Sequence, residues 1–265
     1  MTTLLELGRR GEPITGIEVI DMHSHIGRAA FTIPDTTAGG IVEVMARTGV
    51  AVTVITAMLP MAEAEYEAAN AEVLEAIRAY PGRILGYYRP FPSNPAVSME
   101  EAARRIDEGF VGVKLHNINK FAYTSPAYVP YLAAANARRM PVLCHSWGDG
   151  EEFEQFRAIA ADYPGVSLLL AHTGSVNEDE YIRIAGECEN VYLELALSRA
   201  PRGLVARLAE RAGVEKIVWG SDVCFINQAH QLGKVLGARI SEEEKAAVLG
   251  GNARRILDRV VGEGR

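Results

Sequence analysis

The chain has 265 residues, 48% hydrophobic and 23% charged, which are the proportions of an ordinary globular protein and exclude a disordered or collagen-like chain. Its 27 Lys and Arg against 34 Asp and Glu leave a net charge of −7 with no basic block, which argues against nucleic-acid and anionic-membrane partners. No apolar run approaches the roughly 18 residues of a membrane span. The N-terminal MTTLLELGRRGEP lacks the basic start, apolar stretch and small-residue cleavage site of a signal peptide, and Cys144, Cys188 and Cys224 stand at unrelated spacings that suit reduced thiols, so a cytoplasmic location is expected.

In chain order, short β-branched apolar runs occupy Ile17–Met22, Val50–Met58, Ile84–Arg89, Phe110–His116, Met140–His145, Val166–His172, Asn190–Leu195 and Lys216–Asp222. They recur every 24 to 34 residues or so, about the size of one strand–helix unit. Helix-period stretches lie between them. Ala64–Tyr80 carries Ala69, Val73, Ala76, Ile77 and Tyr80 on one stripe and ends at Pro81-Gly82. Ser98–Glu108 opens with a capping-box pattern and ends at Gly109, Glu151–Tyr163 stops before Pro164-Gly165, and Pro201–Ala212 has Pro at its start and Gly213 after its end. Eight such units predict a single (β/α)8 barrel domain over residues 1–265, with strands apolar on both faces. A doubly wound open sheet is the alternative, disfavoured because no GxGxxG turn follows the first strand. Ser241–Val261 reads as two further short helices closing the barrel bottom.

A barrel of this kind binds its ligands at the C-terminal ends of the strands. Strand one ends in Asp21-Met22-His23-Ser24-His25, strand four in Lys114-Leu115-His116, strand five in His145, strand six in His172 and strand eight in Asp222; of the 6 histidines only His230 lies elsewhere. His23 and His25 are two apart and share a strand face, so both imidazoles can reach one ion. The same parity groups Gly112, Lys114 and His116, and Val218, Gly220 and Asp222, with the two glycines leaving space beneath the polar groups. Converging polar groups of this number are costly unless paired, and a metal centre is the pairing that accounts for them together.

These segments resemble the amidohydrolase superfamily, within it the amidohydrolase-related (amidohydrolase 2) group of metal-dependent barrel enzymes. The resemblance rests on DMHSHIG, GVKLH, CHSWG, LAHTGS, WGSDV and LGGNARRIL, in that order, and covers nearly the whole chain. It implies His23, His25, His145 and Asp222 as metal ligands, Asp222 as the carboxylate that handles the proton of water, and His172 as a catalytic histidine that orients water or substrate in one-metal members and binds a second ion in two-metal members. In two-metal members a carboxylated strand-four lysine bridges the ions; here one metal is expected, with Lys114 an unmodified amine that binds substrate, the alternative being an internal ion pair with Asp222 or Asp21. The run Asp222-Val223-Cys224-Phe225 replaces a proline frequent in the group, so no substrate is carried over.

The donor set suits Zn²⁺, with Mn²⁺ or Fe²⁺ as alternatives. Water activated by such an ion would hydrolyse an amide, lactone or ester; related enzymes decarboxylate aromatic or unsaturated acids with the same ligands, and a non-catalytic ligand-binding barrel is a third reading. The expected partner is a small molecule, a carboxylate among the candidates, with a homo-oligomer admitted. Lys114, His116 and Arg89 are candidates for binding that carboxylate, Arg89 alternatively serving in a structural ion pair. Trp147 is a candidate cover for the pocket. Of Tyr87 and Tyr88 at most one lines the barrel, and Glu194 is placed to support a ligand from behind. Cys144 should face the helices, and Cys224 lacks a paired base.

Overall fold

A computed structural model describes residues 2–28, 32–33, 35–58, 63–93 and 96–261. Eight strands pair in parallel in sequence order: β1 (Ile20–Ile26), β2 (Val52–Ala57), β3 (Ile84–Tyr88), β4 (Gly112–Leu115), β5 (Pro141–Cys144), β6 (Ser167–Leu170), β7 (Val191–Glu194) and β8 (Ile217–Val218). The ring closes from β8 to β1 through Met22 N–H to Trp219 O (3.0 Å), Asp222 N–H to His23 O (2.7 Å) and a bridge between Ser24 and Val223. This is the expected (β/α)8 barrel.

Alternation explains why the strands are apolar throughout. Ile20, Met22, Val54, Tyr87, Leu143, Leu169 and Val218 fill the barrel interior, while Ile55, Val113, Val142, Leu168 and Leu193 pack outward on the helices. Tyr87 takes the inner side, its hydroxyl donating to Met22 O at 3.0 Å, and Tyr88 the outer side, within 3.2 Å of Arg105 Nη1. Cys144 is buried with the outward set, as its parity requires.

The outer ring holds α2 (Ala38–Thr48), α3 (Glu63–Ala79), α4 (Met99–Ile106), α5 (Val129–Ala137), α6 (Gly150–Asp162), α7 (Glu178–Glu187), α8 (Leu204–Ala212) and α9 (Gln228–Leu236), preceded by α1 (Leu4–Arg10). Among the described residues no helix is long and apolar enough to cross a membrane. The capping box expected at Ser98 is half formed: Ser98 accepts from Glu101 N–H, but the Glu101 carboxylate pairs with Arg104 and Arg105 instead of reaching back. The chain tail is one helical run. α10 (Glu242–Ala246) and α11 (Asn252–Leu257) are joined by a π-helical turn over Ala247–Gly251 in place of the break between two helices. Ala253, Ile256 and Leu257 plug the bottom of the interior.

Gly250 in that turn lets the tail touch the chain leading into β1, because a Cβ there would lie 1.9 Å from Glu18 O. Gly250→Ala is expected to destabilise the fold by about 1–3 kcal/mol through overpacking. The midpoint of denaturant unfolding measures this, and an unchanged midpoint would show that the tail is not seated there.

Candidate metal centre

The site begins with an irregularity in β1. Asp21 pairs with Thr53 of β2 and Ser24 with Ile55, so three steps on β1 match two on β2, a β-bulge. Below it Ile20 and Met22 point inward, and above it the inward positions become His23 and His25. The bulge frees backbone donors, and the Asp21 carboxylate takes them up. It accepts from His23 N–H (3.1 Å), Ser24 Oγ (3.0 Å), Ser221 N–H (2.9 Å), the Ser221 hydroxyl and Gln228 Nε2 (2.9 Å). β1, the segment after β8 and α9 are thereby tied at one point.

Beyond Val218 the chain leaves strand geometry, and Asp222 adopts the left-handed backbone region (φ 58°). Its carboxylate reaches the expected face by this turn and not by strand parity. His172 is placed the same way: β6 ends at Leu170 and His172 has φ 63°. Non-glycine residues held in this region concentrate at functional sites.

Three donor atoms converge. His25 Nε2 lies 3.0 Å from Asp222 Oδ1 and 3.2 Å from His23 Nε2, and His23 Nε2 lies 3.6 Å from Asp222 Oδ1. Ligands about 2.1 Å from a tetrahedral ion stand roughly 3.4 Å apart, so the triangle has the dimensions of three metal ligands. The chemistry agrees. Glu194 Oε2 accepts from His23 Nδ1 at 3.1 Å, which leaves Nε2 of His23 as a bare lone pair. Glu194 is fixed in turn by the N–H groups of His172 (3.2 Å) and Ala196 (2.6 Å). Gly220 makes this possible, since a Cβ there would lie 2.2 Å from Glu194 Oε1 and 2.7 Å from His23 Cβ. Gly112 opens space differently: the ring of Tyr87 fills it.

His145 stands beside the triangle and not within it. Its Nδ1 faces His172 Nε2 at 3.1 Å, and its Nε2 is buried without a hydrogen-bond partner. His25 Nδ1 is similarly orphaned. His172 Nδ1 bonds Ala196 O. His116 stacks on His145 with ring centroids 4.0 Å apart, and its Nδ1 accepts from Ile118 N–H. Trp147, half exposed, lies over His145 (4.2 Å between rings), its indole donating to Asn117 Oδ1 at 2.9 Å. With Phe225 these groups line a cavity of about 230 Å³ over the triangle.

Two cations are buried nearby. Lys114 Nζ lies 3.3 Å from His23 Nε2, where the lone pairs call for positive charge. Burial and Arg89 lower its pKa to about 8 against the pull of Asp222 and Glu194. Its nearest polar contact is this histidine, and the alternative ion pair with Asp21 or Asp222 is not formed. Arg89 does not line the cavity. Its guanidinium is buried, donates to Ala57 O (3.3 Å), lies 5.7 Å from the Tyr66 ring centre and leaves Nη2 without a partner; among the described residues it meets no carboxylate, so the alternative of a structural ion pair is not formed either. Asn70 holds its backbone from both sides. Burial works against the charge of Asp222, but the hydrogen bond from His25 and the surrounding histidines hold its carboxyl below the ordinary range.

Fold and site together define a barrel with a histidine–carboxylate cluster at its C-terminal mouth whose donors could hold a metal ion. The chain belongs to the amidohydrolase family, whose model matches residues 20–259. No curated protein matches the sequence. Solved structures with the same fold include 5-carboxyvanillate decarboxylase from Sphingomonas paucimobilis, with a TM-score of 0.70, 17% identity, and 93% of this chain and 100% of that chain covered. A probable 2-pyrone-4,6-dicarboxylic acid hydrolase from Acinetobacter baumannii, with citric acid bound, gives 0.70, 16%, 91% and 100%. A dihydroxybenzoic acid decarboxylase from Polaromonas with bound manganese and the inhibitor 2-nitroresorcinol gives 0.69, 16%, 91% and 97%. The family is metal-dependent, and the solved structures that share this fold include decarboxylases and a probable hydrolase.

Sequence reasoning passed over Asp21 as a structural centre, although a carboxylate inside an apolar strand two residues before His23 was the available signal. Gln228 and Asn70, on helices far along the chain, gave none.

Burial pushes down the pKa of His23, His25, His116, His145 and His172. The unfolded chain therefore binds more protons than the folded one below pH ~6.5, and stability falls as pH drops through that value. Raised carboxyls have the opposite sign, Asp21 at about 6 with Glu194, Glu152 and Glu72, but they titrate at the acid edge of this range while the five histidines gain their protons in the unfolded chain across it. The melting temperature of metal-free protein should thus decline from pH 7.5 to 5.5; a flat or rising profile would contradict the burial. Glu194→Gln should weaken metal affinity about 10–100-fold in chelator competition, whereas an unchanged affinity would show that Glu194 does not orient His23.

Proposed function

We propose that this chain is a metal-dependent hydrolase, attacking a C–N or C–O bond of a small carboxylate-bearing amide, lactone or ester. The observation that carries the reading is the triangle of His23 Nε2, His25 Nε2 and Asp222 Oδ1, closed to within 3.6 Å. In this reading His23, His25 and Asp222 hold one ion through the triangle and His145, standing beside it, would turn in as the fourth ligand, with Zn²⁺ before Mn²⁺ or Fe²⁺. Such an ion supplies Lewis acidity, which activates water near neutral pH and polarises a carbonyl.

The remaining chemistry falls to side chains. Asp222, ionised at neutral pH, accepts the proton of the attacking water and returns it to the leaving nitrogen or oxygen. His172, its Nδ1 proton fixed on Ala196 O, turns its other nitrogen toward His145 and orients water or substrate. Lys114 meets the substrate carboxylate, and the charge of Arg89 behind it raises the local potential for anions. Trp147 and Phe225 limit water at the mouth. The chain acts as one domain on a small molecule in the cytoplasm.

Decarboxylation of an aromatic or unsaturated acid is the second reading, favoured by the flat wall of stacked His116 and His145 with Trp147 against it. Turnover of lactones, amides, esters and aromatic acids in ¹⁸O-labelled water separates the two. Hydrolysis places the label in an acid product without CO₂, and CO₂ release with an organic product that carries no label would establish the second reading. Inertness of metal-loaded protein toward every class would favour a ligand-binding barrel. His172→Asn should lower kcat about 10²–10⁴-fold with metal content unchanged. Lys114→Met should raise KM about 10–100-fold, the loss of one charge-assisted hydrogen bond, again with the metal retained. Loss of metal in either variant would make that residue a ligand.

A further inference from the structure

A second cavity, about 710 Å³, lies away from the one over the histidines. It lies between the loop after β7, the first turn of α8 and the end of α9. Three cations line it, Arg202, Lys234 and Arg239, and no acidic residue does. In a chain of net charge −7 this is a local reversal of sign. Elsewhere neighbouring helices are bridged by ion pairs, such as Arg157 with Glu180 and Glu187, Arg207 with Glu178 and Arg138 with Asp107. Here Arg202 and Arg239 make no ion pair among the described residues.

Lys234 is built into the wall. Its Nζ donates to Leu195 O at 2.6 Å and Leu197 O at 3.1 Å, both neutral acceptors; among the described residues no carboxylate pairs with it directly, Glu194 and Asp222 acting on it only from a distance, and one of its three donors remains. Burial lowers its pKa to about 8, so the amine is still largely protonated at neutral pH, and an anion beside it would favour that form further. Leu195, Pro201 and Leu204 supply apolar surface in the same cavity. A space of several hundred Å³ with convergent polar groups on an apolar lining has the size and character of a small-molecule pocket.

We propose that this α8–α9 cavity binds a phosphorylated small molecule, its phosphate held by Lys234, Arg202 and Arg239 and its organic part on the apolar wall. A phosphate monoester matches three converging cations better than a monocarboxylate does, carrying close to two charges and three acceptor oxygens at neutral pH. The cavity shares no lining residue with the one over the histidines, and the proposal does not depend on any reading of the chemistry there.

The test uses the metal-loaded full chain and four probes: adenosine 5′-monophosphate, glucose 6-phosphate, pyridoxal 5′-phosphate and inorganic phosphate. Binding is read by equilibrium dialysis and by the shift in melting temperature. At least one monoester should bind saturably and more tightly than inorganic phosphate. In the double variant Arg202→Ser/Arg239→Ser, both exposed positions, affinity should fall at least tenfold, with metal content and the melting temperature without probe unchanged. No binding by any probe at millimolar concentration would overturn the proposal. So would binding that the double variant leaves intact, which would place the phosphate on the metal instead.

Discussion

A carboxylate without water around it fixes the geometry of the barrel mouth. Asp21 is fully buried, and burial alone drives its pKa up, to about 6. Five donors from three parts of the chain offset that cost. Each would lose about 1–3 kcal/mol if left buried and unpaired, so the carboxylate and its donors hold each other in place. The consequence is geometric. Asp21 stabilises the bulge that turns both His23 and His25 inward, and through Ser221 it sets where Asp222 leaves β8. The metal-binding triangle is the meeting point of two segments that this one side chain holds together.

The electrostatics of the mouth follow from that arrangement. Desolvation keeps the histidines neutral, with their lone pairs gathered within a few ångströms of each other. A dry cluster of lone pairs and one carboxylate stabilises positive charge at its centre, and Lys114 Nζ stands at its edge. Glu194 works from behind, passing negative charge to His23 through a shared proton while its other contacts lock it to the backbone of His172 and Ala196. The site is thus graded: carboxylates beneath and beside the imidazoles, buried cations on the β3–β4 side, and an aromatic rim above.

The barrel was legible because every strand is buried on both faces and recurs at one strand–helix period. The histidines were legible because strand ends meet at one mouth whatever the loops do. His23 and His25 keep their common face because both lie above the bulge, although the bulge itself was hidden. Asp222 and His172 arrive through left-handed turns that parity does not describe, so the destination was readable and the route was not. Gly220 reads in sequence as space beneath Asp222, and the groups that occupy that space prove to be Glu194 and His23. The partners of Asp21 and Arg89 were not readable: Gln228 and Asn70 are ordinary helical residues in sequence, and only tertiary contact gives them meaning.

The central claim is that His23, His25 and Asp222 share one divalent ion. Anomalous diffraction from crystals grown with zinc, and separately with manganese, tests it most directly. The account predicts a single peak about 2.0–2.2 Å from Nε2 of both histidines and from Oδ1 of Asp222. Full metal in solution with no peak inside that triangle, or a peak elsewhere while these three atoms remain bonded to one another, would contradict it.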